Sequence, residues 1–122
     1  MLTFETRLPV TPPQVPGFVD LTDGLQASVT ESEISEGRVT VFSPSERCRV
    51  LLNERESGLL GDIAKAIERM NGGPVSDRLV GSPAVVLPVA GGKLKLGTWQ
   101  RVLLLELDRP VERSVVVQIV GE

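Results

Sequence analysis

Any chemistry in this chain must proceed without imidazole, because none of its 122 residues is histidine. That removes His-based general acid–base catalysis, Ser-His and Cys-His nucleophile pairs and imidazole metal sites. The residues that retain chemical potential fall into three groups. In the first, Cys48 stands between Arg47 and Arg49, two guanidinium neighbours able to depress a thiol pKa and favour the reactive thiolate. Strand alternation, however, turns Cys48 to the face opposite the arginines, which favours a buried, inert cysteine. Arg47 and Arg49 then share a face, where they could grip a phosphate or carboxylate bidentately or lie solvated against Glu46, Glu54 or Glu56. In the second group, Glu54, Glu56 and Asp62 gather around the start of an expected helix. Carboxylates interact favourably with a helix N-terminus, so capping is the default account. Glu54 or Asp62 acting as a general base is the catalytic alternative. A metal held by these carboxylates would be Mg²⁺-like and weakly bound, for want of imidazole or thiolate partners.

The third group is Gly97-Thr98-Trp99-Gln100, which sets the only tryptophan beside a glycine and two polar side chains before a long apolar strand. Backbone amides near Gly97 and Thr98, together with Arg47, Arg49 or Arg55, could form a pocket for a small anion or phosphate ester. Gly91-Gly92 and Gly97 match neither nucleotide-binding glycine fingerprint and read as turn glycines.

Composition bounds the setting in which these groups act. A chain with 41% hydrophobic and 24% charged residues can bury a core and is expected to form one domain over 1–122. A formal charge of -3 provides no basic field for nucleic acid or anionic lipid. The best apolar stretch is interrupted by Pro88, Gly91, Lys93 and Lys95, and no membrane span is expected. One cysteine cannot form an internal disulfide and the N-terminus has no signal-peptide pattern, so a cytoplasmic location is expected. Sparse Asn, Gln, Cys and Met, with Arg exceeding Lys, are compatible with a thermophilic source or a GC-rich genome.

The elements that must position these groups follow from periodicity. Leu2, Phe4, Thr6 and Leu8 alternate with Thr3, Glu5 and Arg7 as in a half-buried strand that Pro9 ends. A weaker helix is expected over about 22–31, capped by Thr22 and weakened by Gly24. Two short strands, Arg38 to Phe42 and Arg47 to Leu52, are expected side by side in one sheet. A strong helix over about 57–71 shows Leu59, Leu60, Ile63, Ala64, Ile67 and Met70 on one face, with Ser57 as its cap and Asn71-Gly72-Gly73-Pro74 as its stop. Strands then run over Ala84 to Val89, Lys93 to Leu96, Trp99 to Leu107 and Ser114 to Val120, with Gly91-Gly92 in a turn of positive φ. The last two strands are apolar on both faces, which places each inside a sheet or beneath another subunit.

The run from Gly92 through Leu96-Gly97-Thr98-Trp99-Gln100 to Asp108, with the terminal Val117 to Glu122, closely resembles the C-terminal signature of the YjbQ-like family. Leu52-Asn53-Glu54 with the helix that follows, and Gly17 to Asp23, are similar to further family segments, so the resemblance spans nearly the whole chain. It implies an α+β fold with a barrel-like or sandwich-like sheet, and a homotrimer with sites near subunit boundaries. It also implies the secondary thiamine-phosphate synthase assignment that many members carry, and a histidine cluster able to hold a metal. Here the family's His-Thr-Ser-Ala motif aligns with Ser45-Glu46-Arg47-Cys48, and its later histidine segment is shortened to the residues around Asn71 to Val75. Neither Pro44 nor Ser45 can replace an imidazole ligand. The expectation is therefore an oligomeric scaffold or binding protein with no metal and no cofactor beyond weak Mg²⁺. A small-anion site or a residual, carboxylate-driven enzyme is the alternative.

Overall fold

A computed structural model of the chain describes residues 1–70 and 80–122. In chain order the elements are β1 (Leu2–Val10), β2 (Gly17–Asp20), α1 (Thr22–Ser32), β3 (Gly37–Phe42), β4 (Cys48–Asn53), α2 (Ser57–Arg69), β5 (Ala84–Ala90), β6 (Lys93–Leu94), β7 (Arg101–Glu106) and β8 (Arg113–Gly121). Both helices match the sequence expectation in place and length. The expected stop at Asn71 to Pro74 lies outside the described residues. Among the described residues no helix is long and apolar enough to cross a membrane.

The strands form two antiparallel sheets, one of five strands ordered β1-β8-β3-β5-β6 and one of three ordered β2-β7-β4. This corrects the expectation that β3 and β4 are neighbours: β3 lies between β8 and β5, whereas β4 pairs only with β7 among the named strands. The reason lies in the link. Ser43 N–H still donates to the Pro83 carbonyl beside β5, and Cys48 N–H donates back to the Ser45 carbonyl. The chain thus turns through Pro44 and Ser45 from one sheet into the other.

The two sheets and α1 enclose the main core, in which Val39, Val41, Val115, Val117 and Ile119 of the larger sheet meet Val50, Val102 and Leu104 of the smaller, with Leu25 and Val29 from α1. Gly24, a weak helix former, sits where α1 approaches β1, since a Cβ there would lie 3.3 Å from Leu8 Cδ1. The second face of β7 makes a separate core: Leu103, Leu105 and Leu107 pack with Leu51 and with Ile67 of α2, flanked by Leu60, Ile63 and Phe18. β7 is therefore the interior strand its double apolar pattern implied, and α2 of the same chain supplies its cover. Burial of each such leucine contributes about 1.5–3 kcal/mol. β8 is likewise interior, between β1 and β3, but its second face is less covered than that of β7. Its inward residues are fully buried, but Gln118 on the outer face is exposed and Val116 and Val120 only half-buried.

Shorter strands than expected have local causes. Gly91 and Gly92 have φ of 60° and 72°, the pair of positive values that a two-residue type I′ hairpin requires. Beyond Leu94 the ladder fails, because Lys95 N–H donates to the Pro88 carbonyl while Pro88 has no N–H to return. β7 begins only at Arg101. Before it, Gln100 folds back on Gly97, its N–H donating to the Gly97 carbonyl and its Oε1 accepting from Gly97 N–H at 2.8 Å.

Candidate functional site

The pairing of β4 with β7 sets Asn53 opposite Arg101. Residues leaving β4 and residues approaching β7 therefore meet at one end of the smaller sheet. There Glu54, Arg55, Glu56, Thr98, Trp99 and Arg101 line a cleft of about 600 Å³. Glu54, Arg55, Thr98 and Trp99 are sequence candidates for catalysis or ligand binding, and Glu56 belongs to the carboxylate group expected at the helix start. Gly97 and Gln100 form the turn that carries Thr98 and Trp99, and Trp99 is 74% exposed. Asp62 is not among the lining residues and lies exposed on α2.

Arg47 and Arg49 are not brought to this cleft. Arg47 Nη2 donates to the Leu107 carbonyl at 3.0 Å, and Arg49 Nη2 lies 3.4 Å from the Gly81 carbonyl. Cys48 between them is fully buried. Burial, and the Glu106 carboxylate that accepts its hydrogen bond, push the thiol pKa up, which is the opposite of what a reactive thiolate needs.

An ion network holds the two arginines that line the cleft. Asp20, the last residue of β2, accepts from Arg101 Nε at 2.7 Å and from Arg55 Nη1 at 3.0 Å on the same oxygen, Oδ2. Its other oxygen accepts from Thr22 N–H at 2.9 Å, and Arg101 Nη2 reaches Asp23 at 3.2 Å. Burial acts to raise the Asp20 pKa, but the Thr22 N–H and Arg101 outweigh it and hold the carboxyl below its ordinary value. Thr22 is not the α1 cap expected of it. Its hydroxyl accepts from Val102 N–H at 2.8 Å, and it is the Asp20 side chain that serves the helix start. Asp20 and Arg101 are the functional candidates that sequence reasoning missed. Arg101 directly follows the Trp99 block, but its tie to Asp20 depends on the β2-β7-β4 order.

Glu56, rather than Ser57, caps α2: its two carboxylate oxygens accept from Gly58 N–H at 2.9 Å and Leu59 N–H at 2.6 Å. These N–H groups hold its pKa below the ordinary value. Glu56→Ala is expected to lower the melting temperature at neutral pH, and Glu56→Asp to preserve most of it, as read by thermal denaturation followed by circular dichroism. Because the folded pKa is depressed, the cap's contribution is complete above the unfolded pKa and fades as pH falls through the folded one, so the variants should converge in acid.

Two antiparallel sheets, a helix completing the core between them and a preformed, imidazole-free cleft at one sheet end define a small α+β domain. The sequence profile of the UPF0047 protein YjbQ-like family matches residues 6–122, and the chain belongs to that family. A UPF0047 protein of Archaeoglobus fulgidus is 38% identical over 115 residues, covering 83% of this chain and 89% of its own. Among solved structures, a YbjQ-like protein of unknown function from Sulfolobus solfataricus superposes with a TM-score of 0.90 at 29% identity, covering 99% of both chains. A hypothetical protein from Aeropyrum pernix follows at 0.86 and 29% identity, covering 98% of this chain and 99% of its own.

The histidine-borne metal that the resemblance implied finds no fit among the described residues. At the aligned motif, Ser45 Oγ accepts from Arg47 N–H, Arg47 is tied to Leu107, and Cys48 is buried against Glu106. No group of three or more Cys, Asp or Glu among the described residues could hold a metal ion.

Proposed function

We propose that this chain is a binding member of its family: it takes a small polar ligand in the Trp99 cleft, works without a transition metal and assembles as a cytoplasmic homotrimer. The observation that carries the reading is the exposure of the only tryptophan, on the wall of a cleft within the size range of small-ligand sites. An apolar ring left in water beside fixed polar groups suits an aromatic platform for a ligand. Self-association is supported by apolar residues on the outer face of the larger sheet, where Phe42 is 40% and Val86 58% exposed and Val116 stands opposite Phe42.

A thermal-shift screen of polar metabolites tests the binding reading. Compounds that occupy the cleft should raise the melting temperature of the native chain and lose that effect in Trp99→Ala, since ligand at 100 times its Kd stabilises by about 2.7 kcal/mol. Stabilisers that act equally on Trp99→Ala, or none in the screen, would contradict it. Light scattering should give three copies of the 13.1 kDa chain, and Phe42→Asp should shift it towards monomer. Retention of a thiamine-phosphate synthase activity is a second reading, favoured by the presence of Glu54 in the cleft. It requires product formation that Glu54→Gln abolishes.

A further inference from the structure

We infer that the cleft selects a small organic cation of the alkylammonium type, an inference that rests on the binding reading above. The first ground is charge. The cleft lining pairs Glu54 and Glu56 with Arg55 and Arg101, and behind it the two guanidinium groups are also bonded to Asp20 and Asp23, so carboxylates are in excess in the lining and its ion network taken together. Both guanidinium groups already donate to Asp20, and Arg101 also to Asp23, so their positive charge is offset by bonded carboxylates before an anion arrives. Arg47 and Arg49, which could have reinforced an anion site, point their guanidinium groups to backbone carbonyls elsewhere.

The second ground is what is left over. Both oxygens of Glu56 serve the α2 N-terminus, whereas Glu54 has only its backbone N–H engaged, with Asn53 Oδ1, among the described residues. Of the carboxylates that line the cleft, Glu54 is thus the one left with capacity to spare, and it stands there with the exposed Trp99 ring. A ring face is electronegative and attracts a cation, most effectively one with a weakly held hydration shell, while a carboxylate supplies the counter-charge. A bare divalent ion is a poor occupant, because it needs several converging oxygens and no such group exists among the described residues.

The test compares three probes on the full chain: choline, its neutral isostere 3,3-dimethylbutan-1-ol, and inorganic phosphate. With one Trp and no Tyr in the sequence, the emission of Trp99 reports binding without background from other residues. Choline should bind about tenfold more tightly than the isostere, the advantage should shrink in Glu54→Gln to what the Trp99 ring alone supplies, and phosphate should leave the emission unchanged. Equal binding of choline and the isostere, tighter binding of phosphate, or choline binding indifferent to Glu54→Gln would each overturn the inference. Silence from all three probes would also overturn it, while Trp99-dependent stabilisers from the thermal-shift screen would still uphold the binding reading.

Discussion

Arg113→Met is expected to destabilise the fold by about 3–5 kcal/mol at pH 7, because it strands a buried carboxylate. Glu106 ends β7 in the smaller sheet, Arg113 begins β8 in the larger, and the pair ties the two sheets at one end of the main core. The Glu106 side chain is fully buried and bound bidentately, with Arg113 Nε 2.7 Å from Oε1 and Nη2 3.0 Å from Oε2; Asp108 N–H donates at 3.1 Å. Burial works to raise the Glu106 pKa, but Arg113, the Asp108 N–H and the Cys48 thiol outweigh it and hold the carboxyl below its ordinary value. In the native chain the pair's contribution is therefore complete above the unfolded pKa and is lost as pH falls through the depressed folded one. Without Arg113 the opposing effect of burial gains, the carboxyl pKa moves upward, and the variant should be most compromised at neutral pH and recover relatively in mild acid. Replacing both partners, Glu106→Leu with Arg113→Met, should restore much of the loss by removing the stranded charge. Denaturant unfolding at pH 7 and pH 4.5 reads all three outcomes. A loss under about 1 kcal/mol, typical of an exposed pair, would show that the side chain is not sealed from water.

Asp20→Ala is expected to cost about 2–3 kcal/mol and to change what the cleft binds. Its carboxylate is only 14% exposed and joins three things: the first N–H of α1, the Arg101 guanidinium at the start of β7, and Arg55 between β4 and α2. Of the two guanidinium bonds the one from Arg101 counts for more, because Arg101 is 26% exposed whereas Arg55, at 59%, is well screened by solvent. With the Asp20 pKa depressed, its contribution is present above the unfolded pKa and disappears as pH falls through the folded value, so native and variant stabilities should approach each other in strong acid. The variant also releases two guanidinium groups, and phosphate, inert towards the native chain, should now perturb Trp99 emission. Unfolding curves and a phosphate titration of the same preparation check both parts. An unchanged melting temperature would mean that the network is not formed in solution.

How far the sequence foretold this arrangement depended on whether a feature is local. α2 was evident because Leu60, Ile63 and Ile67 recur at helical spacing, and the Gly91-Gly92 turn because only glycine readily adopts two successive positive φ values. The double apolar pattern of β7 correctly made it interior. Periodicity identifies faces but not neighbours, so it could not show that β3 and β4 part into different sheets or that α2 covers the second face of β7. The cleft divides along the same line. Glu54, Arg55, Thr98 and Trp99 belong to segments singled out by their residue types, whereas Asp20 joins them only through the pairing of β2 with β7. Arg47 and Arg49 were grouped with Arg55 by charge, but alternation along β4 directs them to other surroundings.

We propose that this chain keeps the family fold and offers a ligand cleft without the histidine ligand set that the resemblance implied. The most direct test is equilibrium dialysis of the purified full chain against zinc, with bound metal counted by mass spectrometry. No stoichiometric uptake is expected, and the same count for the native chain and Glu54→Gln. One tightly held zinc per chain, removed together with the pocket's ligand binding by Glu54→Gln, would contradict the proposal.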